Sequence, residues 1–400
     1  MIKRIPIDAL KQGMYISDLN AEWIPHSNLK KRGVIRNEEV VEKIKQFGIT
    51  EVYIDTSLGG DTQDSMTAAE VDAQNEQALL AAGEMAPIMK PTIGLNDELN
   101  AAAKVHTEAL GLITNLIGDV RDKKPIKLDA FEEVADGMLD SVLRNHNALT
   151  CLGRIREKDS YLMEHSVNLA VLMTVFGKSL KLDKETMQHV AIGAMLHDIG
   201  KIMIPDEVLH KPDKLTAKEF DVIKQHASYS KELLEQTEGM PALAVTVAAQ
   251  HHEKMDGSGY PLGLCGHQIS PFGRMAAVVD VYDAITADRV YHKGIPPAGA
   301  LKKLLEWSNH LDPSLVRHFI RSVGIYPVGS LVLLESARLA VVIEANDFDQ
   351  RLPRVKVVYH TKFRTFVKVE ELDLAKPSCQ DRIEKAVDPA SYKIRVGDFL

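Results

Sequence analysis

The sequence predicts a mainly α protein: an all-helical central region, flanked by a small N-terminal α+β module and a small C-terminal β module. Three observations carry this. Alanine, leucine, valine and methionine are plentiful, while aromatics make up only 6% of the 400 residues. Between about 96 and 325, apolar residues recur at helical spacing between helix start and stop signals. From Tyr326 the period changes to short apolar runs split by charged and turn residues. A chain of this length fits two or three domains and can bury a sizeable core.

In residues 1–56, Met14–Ser17 and the alternating Glu51–Asp55 read as strands. Between them Asn37 is placed to cap a short helix over 38–47 that Gly48 stops. Residues 57–89 hold six acidic residues and no Lys or Arg. We therefore expect 57–95 to be an acidic flexible linker, with at most a transient helix. In 96–325, Asn96 and Asp129 are candidate caps for helices reaching about Arg121 and Asn145. Thr216 to Glu219 is a capping box ahead of Phe220 and Ile223. Pro241 and Pro313 sit where first helical residues belong, and Gly324 marks a stop. In 326–400, Leu331–Leu334, Leu339–Glu344, Val355–Tyr359 and Thr365–Val369 read as strands of a small antiparallel sheet or barrel. No internal repeat is visible.

The net charge is −8, from 48 basic and 56 acidic residues, which argues against a general binder of nucleic-acid polymers or anionic membranes. The three cysteines, Cys151, Cys265 and Cys379, are scattered and lack a CxxC pair, so neither a disulfide framework nor a thiolate zinc site is expected. With no apolar leader at the N-terminus and no run of 18 apolar residues, the expectation is a cytoplasmic protein without a membrane segment.

The chemistry concentrates in an ordered set within the helical region: His165, His197, Asp198, His226, His251, His252 and Asp280. A single histidine is more often a surface or satisfied core residue, and His26, His189, His267 and His310 keep that reading. This set differs because its members end apolar helices. Ala191–Leu196 leads into His197-Asp198, Val245–Gln250 into His251-His252, and Ala276–Val279 into Asp280. A carboxylate buried in such a stretch is costly unless paired or metal-bound. Asp198 could also simply pair with Lys201, three residues on. Three apolar segments that each deliver imidazole or carboxylate favour a metal cluster. One ion fits His165, His197, Asp198 and Asp280; a second fits His226, His251, His252 and a shared Asp198, because a carboxylate can bridge. Nitrogen and oxygen donors without thiolate suit iron, manganese or zinc. A pair of ions about 3.5–4 Å apart can hold a bridging hydroxide and a phosphodiester. After the histidine pair, Glu253 to Pro261 is rich in glycine and turn residues and reads as a loop over the site, with Tyr260 able to stack on a base. Asp283, Asp288, Arg289, Tyr291, His292 and Lys293 bring charge near Asp280. Arg289 lies about 2.5 helical turns beyond Asp280 and reaches the site only if the helix ends or bends first.

These residues resemble a known family. His165, His197-Asp198 and Asp280 resemble the HD phosphohydrolase superfamily. The run from His251 through Asp256-Gly257-Ser258-Gly259-Tyr260-Pro261, and Asp280 through Asp283, Asp288, Arg289 and Tyr291, resembles its HD-GYP subfamily of cyclic di-GMP phosphodiesterases, over roughly 145–325. Residues 1–56, with Gly13-Met14-Tyr15 and Trp23 and His26, resemble DUF3391, a small domain of unknown function. The resemblance implies a non-haem iron or manganese site and hydrolysis of cyclic di-GMP to pGpG, sometimes on to GMP, by a metal-bridging hydroxide. It implies His165, His197, Asp198, His226, His251, His252 and Asp280 as metal ligands and Asp198 and Lys201 as catalytic. Lys201, Tyr260, Asp283 and Arg289 are the implied substrate contacts. Some members hold a third metal through a Glu one turn before the first His; Tyr161 stands there, with Glu164 adjacent to His165, so two metals are expected. Ala227–Ser230 replaces a segment where Pro and Gly are common, Val290 the usual Pro, and His292 a common Lys or Arg. Three other readings stay open: a phosphodiesterase for cyclic GMP-AMP, a docking protein with a weak or silent site, and a di-iron HD oxygenase. The GYP loop and Arg289 argue against the last. Signalling proteins that dock on the terminal modules, and an oligomer, are compatible with the sequence.

Overall fold

The structure, a computed structural model, describes residues 1–21, 32–63, 65–83, 90–154, 161–211, 215–287, 294–346 and 348–400. At the N-terminus, β1 (Ile2–Pro6), β2 (Tyr15–Asp18), β3 (Gly33–Val34), α1 (Glu38–Gln46) and β4 (Glu51–Asp55) form the expected α+β module. With β5 (Met66–Thr67) its antiparallel sheet runs β3-β2-β4-β1-β5. Asn37 caps α1 by accepting a hydrogen bond from the Val40 amide. The amphipathic α1 turns Val41 and Ile44 onto Ile5, Ile16, Val52 and Ile54 of the sheet.

The expected flexible linker over 57–95 is corrected in its middle. Met66–Thr67 pairs with β1, and Ala68–Gly83 forms a helix, α2. Its alanines favour helix. Thr67 and Glu70 make a reciprocal cap, the carboxylate accepting from the Thr67 amide and the Glu70 amide donating to the Thr67 hydroxyl. Val71 and Leu79 are buried, and Lys302 pairs with Asp72 and Glu76. Acidic composition indicated mobility; a cation supplied from 230 residues away removes that cause.

The helical region follows as α3 (Leu95–Arg121), α4 (Leu128–Leu152), α5 (Tyr161–Ser179), α6 (Lys184–Leu196), α7 (Asp206–Leu209), α8 (Ala217–Lys224), α9 (His226–Glu235), α10 (Ala242–Gln250), α11 (Pro271–Thr286), α12 (Pro297–Glu306) and α13 (Pro313–Val323). Asn96 and Asp129 lie inside first turns rather than at caps, because α3 and α4 start one residue earlier. α4 also runs past its expected end, with a kink at Asn145, whose side chain donates to the Ile93 carbonyl and accepts from the Asn147 amide. The capping box at Thr216, the start at Pro313 and the stop at Gly324 are all present, while Pro241 precedes α10 as its cap. α5 is the central helix: the side chains of Val167, Leu169, Ala170, Val171, Met173, Val175 and Phe176 are all buried. It packs on α4, α6, α11 and α13.

The C-terminal module is a five-stranded antiparallel sheet of β6 (Leu331–Leu334), β7 (Arg338–Glu344), β8 (Arg354–His360), β9 (Thr365–Asp373) and β10 (Ile383–Ala386), ordered β10-β6-β7-β8-β9. Alternation gives it two buried faces: Val332, Ala340, Val342 and Val355 on one, Leu331, Leu339, Val341 and Val358 on the other. The C-terminal turns bring Ile394 onto the second face. Among the described residues, no helix is long and apolar enough to cross a membrane.

Candidate metal centre

Two close approaches bring the ligand-bearing helix ends together. A side chain at Gly193 on α6 would put its Cβ 2.7 Å from the Ala244 carbonyl oxygen on α10, so α6 and α10 touch through backbone and present His197 and His251 side by side. A side chain at Gly200 would sit 2.1 Å from the His226 carbonyl oxygen; instead the Gly200 amide donates to the Ser230 hydroxyl at 2.9 Å. That contact seats the start of α9, and with it His226, against Asp198. Only glycine permits these distances.

Three histidines are held alike. Nδ1 of His197, His226 and His251 lies 2.8, 2.7 and 2.8 Å from the carbonyl oxygens of Ala194, Ile223 and Ala248. A carbonyl only accepts, so each Nδ1 carries the proton. In the neutral rings each Nε2 is then a lone pair turned inward. His226 Nε2 and His251 Nε2 face one another at 3.3 Å, and burial holds His251 well below the usual imidazole range. His197 Nε2 and Asp198 Oδ1 are buried and make no hydrogen bond. Acceptors that crowd together with no donor fit a cation between them.

Asp198 sits at the centre. Its Oδ1 is 3.2 Å from His226 Nε2 and its Oδ2 is 3.3 Å from His197 Nε2, so one carboxylate reaches both halves. Burial alone would raise this carboxyl; the Lys201 ammonium against it holds it well below the usual range. Lys201 Nζ donates to Asp198 Oδ2 and stays partly exposed. The pairing that the sequence offered as an alternative to metal binding therefore coexists with the cluster. Three groups have donor atoms within 4.8 Å of one another: His165, His197 and Asp280; His226, His251 and His252; and His197, Asp198 and His251. The third joins the other two. All seven expected ligands are thus brought together.

His165 is oriented from behind. Its Nδ1 lies 2.7 Å from Asp283 Oδ2 and its Nε2 3.1 Å from Asp280 Oδ1. Burial works against a charged ring here, yet the hydrogen bonds to Asp280 and Asp283 push His165 up to about 9. Asp283 is fully buried, and its other oxygen accepts from the Asn168 amide. This corrects Asp283 as a substrate contact: both oxygens are engaged on the side of His165 away from the cluster. His252 is the most open of the seven, at 22% exposure. Its ring lies 4.6 Å from the Tyr260 ring, and burial drops it to about 3.

The loop after the histidine pair is folded by a residue whose role its position did not announce. Glu253 is 1% exposed, and its carboxylate accepts from the Leu262 and Leu264 amides at 2.7 and 2.9 Å. Asp256 accepts from Ser258 and faces His310 at 3.0 Å, which makes His310 a structural partner as expected for it. Asn168 and Glu253 were missed as site residues; the signals were Asn168's place one turn after His165 and Glu253's acid in a glycine-rich turn. Arg289, with Asp288, Tyr291, His292 and Lys293, lies outside the described residues, as do Trp23, His26 and the Tyr161 side chain.

The family profile described as "HD domain" matches residues 151–315, and that of DUF3391 matches 2–131. The second match extends beyond the 1–56 module through β5, α2 and α3. A cyclic di-GMP phosphodiesterase of Pseudomonas aeruginosa is 36% identical over 390 residues, covering 96% of this chain and 91% of that protein. A 3'3'-cGAMP-specific phosphodiesterase of Vibrio cholerae is 32% identical over 45% of this chain and 39% of its own length. A cyclic di-GMP phosphodiesterase of the same organism is 31% identical over 56% of this chain and 45% of its own length. The centre described above, the GYP loop beside it and the near full-length relative agree: this chain belongs to the HD-GYP family of HD-domain proteins, with a DUF3391 region ahead of the HD domain.

Proposed function

We propose that this chain is a metal-dependent phosphodiesterase that hydrolyses cyclic di-GMP to pGpG, and further to GMP where the product is retained. The observation that carries the reading is the set of inward imidazole lone pairs around the buried Asp198 carboxylate. Two divalent ions, iron or manganese, would be held by His165, His197, Asp198 and Asp280, and by His226, His251, His252 and the same Asp198. Bound there, they supply Lewis acidity and acidify water in contact with them. Asp198 serves both halves, and Asp283 and Asn168 hold His165 in the ligating tautomer. Lys201, paired with Asp198 and partly exposed, would meet phosphate charge. Arg289 would clamp phosphate oxygens in a fork, and Tyr260 packs the rim against His252. A cytoplasmic location, and signalling partners docking through the terminal modules, complete the reading.

The test is product analysis on cyclic di-GMP after loading with iron or manganese, together with metal counting. Turnover to pGpG with two ions per chain is expected. Metal-loaded protein inert toward cyclic dinucleotides would overturn it. The 32% identity to a cGAMP-specific enzyme favours one second reading, a preference for cyclic GMP-AMP. Rates on the two dinucleotides compared side by side decide between them.

A further inference from the structure

Between the helical region and the C-terminal module lies a cavity of about 370 Å³, lined by α4, α5, α11, α13 and the C-terminal turns. None of the seven ligand residues lines it. Its volume falls in the range of small-molecule sites. Leu172, Val175, Ile295, Val323 and Ile394 give it apolar walls. Its polar groups gather where β6 meets α4. Arg154 donates to the Val328 carbonyl at 2.8 Å, and the buried Cys151 thiol donates to the same oxygen at 3.3 Å. Two residues on, the Ser330 hydroxyl is buried without a hydrogen-bond partner, and so is Nδ1 of His146. Buried polar atoms without partners are uncommon in folded proteins and ask for an occupant. Among the described residues no carboxylate pairs with the Arg154 guanidinium. Among the described lining residues the one acid, Asp388, is engaged by the Ala390 and Ser391 amides of its own turn.

We propose that this cavity is a binding site for a small organic anion with an apolar body, its charged group met by Arg154 and Ser330. A guanidinium at the end of an apolar chamber favours a carboxylate, sulfonate or phosphate over a neutral ligand. His146, which burial pushes down to about 4, adds a neutral hydrogen-bonding edge rather than a second charge. The site stands apart from the metal centre, yet Asn168 belongs to its wall and also holds Asp283 behind His165.

The probe is 8-anilinonaphthalene-1-sulfonate, an aromatic body with one sulfonate, titrated into the full-length protein and followed by fluorescence. One saturable site is expected. Arg154→Ala should weaken it about tenfold or more, Arg154→Lys should recover part of that, and Val323→Trp, which fills the chamber, should abolish it. Circular dichroism of each variant checks the fold, and if one variant does not fold the other decides. The readout is binding, so it is independent of whether the chain turns over a cyclic dinucleotide. No saturable binding to the wild type, or wild-type affinity in either folded variant, Arg154→Ala or Val323→Trp, overturns the proposal.

Discussion

His165 shows how one residue sets the chemistry of the centre. In the folded, metal-free protein it holds its proton to about 9, against an ordinary value of 6.5. The stability this gives the metal-free chain is complete below about 6.5 and is lost as pH rises through about 9. A cation must displace that proton, so apparent metal affinity should rise with pH up to about 9 and then level off. Manganese titration calorimetry in buffers of different ionisation enthalpy will read the released proton; no release between pH 7 and 8.5 would show that His165 is not a ligand. Asp283 orients the same ring. Asp283→Asn should lower metal affinity about 10–100-fold and leave the fold intact, as judged by metal content and circular dichroism. If metal binding were unchanged, the link from Asp283 to His165 would be structural only.

Among the elements, backbone contact does what side chains cannot. At Gly200 an added Cβ would meet the His226 carbonyl oxygen at 2.1 Å and the Ser230 amide nitrogen at 2.4 Å. Gly200→Ala must therefore push α9 outward. We expect a loss of about 1–3 kcal/mol in denaturant unfolding, together with loss of metal. Gly111, on the middle of α3, has nothing within 4 Å of its Cβ position. Gly111→Ala should stabilise by about 0.4–1 kcal/mol, with metal content unchanged. Equal effects at the two positions would mean that helix propensity, not helix contact, governs both. α2 shows the reverse dependence: its alanines and cap are local, but its persistence draws on Lys302 of α12.

Across the whole molecule, the N-terminal module packs on the end of α12 and reaches the site loop through Phe220. Tyr53 donates to Glu306 at 2.6 Å, and Asn20 accepts from Lys303 and Trp307 at 3.1 Å each. Phe220 on α8 stands between the modules, 6.3 Å from the Phe47 ring and 6.4 Å from the Tyr260 ring. Phe220→Ala should raise KM while metal content holds, because it loosens the loop that carries Tyr260 without touching a ligand. A fall in kcat with KM unchanged would place its effect elsewhere. Chelation acts at the same scale. Ions that bind only the folded chain stabilise it by mass action, so removing them should lower the Tm, and restoring excess manganese should recover it. A Tm indifferent to chelator would mean the centre is not loaded.

By itself the sequence determined the fold class and the helix and strand periods, and it singled out the seven residues that the fold gathers, because imidazole and carboxylate at apolar helix ends have few other uses. It also marked the capping box at Thr216 and four of the five C-terminal strands. It could not show that Asp283 is engaged by His165 and Asn168, since that depends on α5 and α11 lying side by side. Nor could it show α2 in an acidic stretch, where the neutralising cation lies 230 residues away. Local pattern records what a residue can do; tertiary contact decides which partner it meets, and so which lone pair is left for a metal.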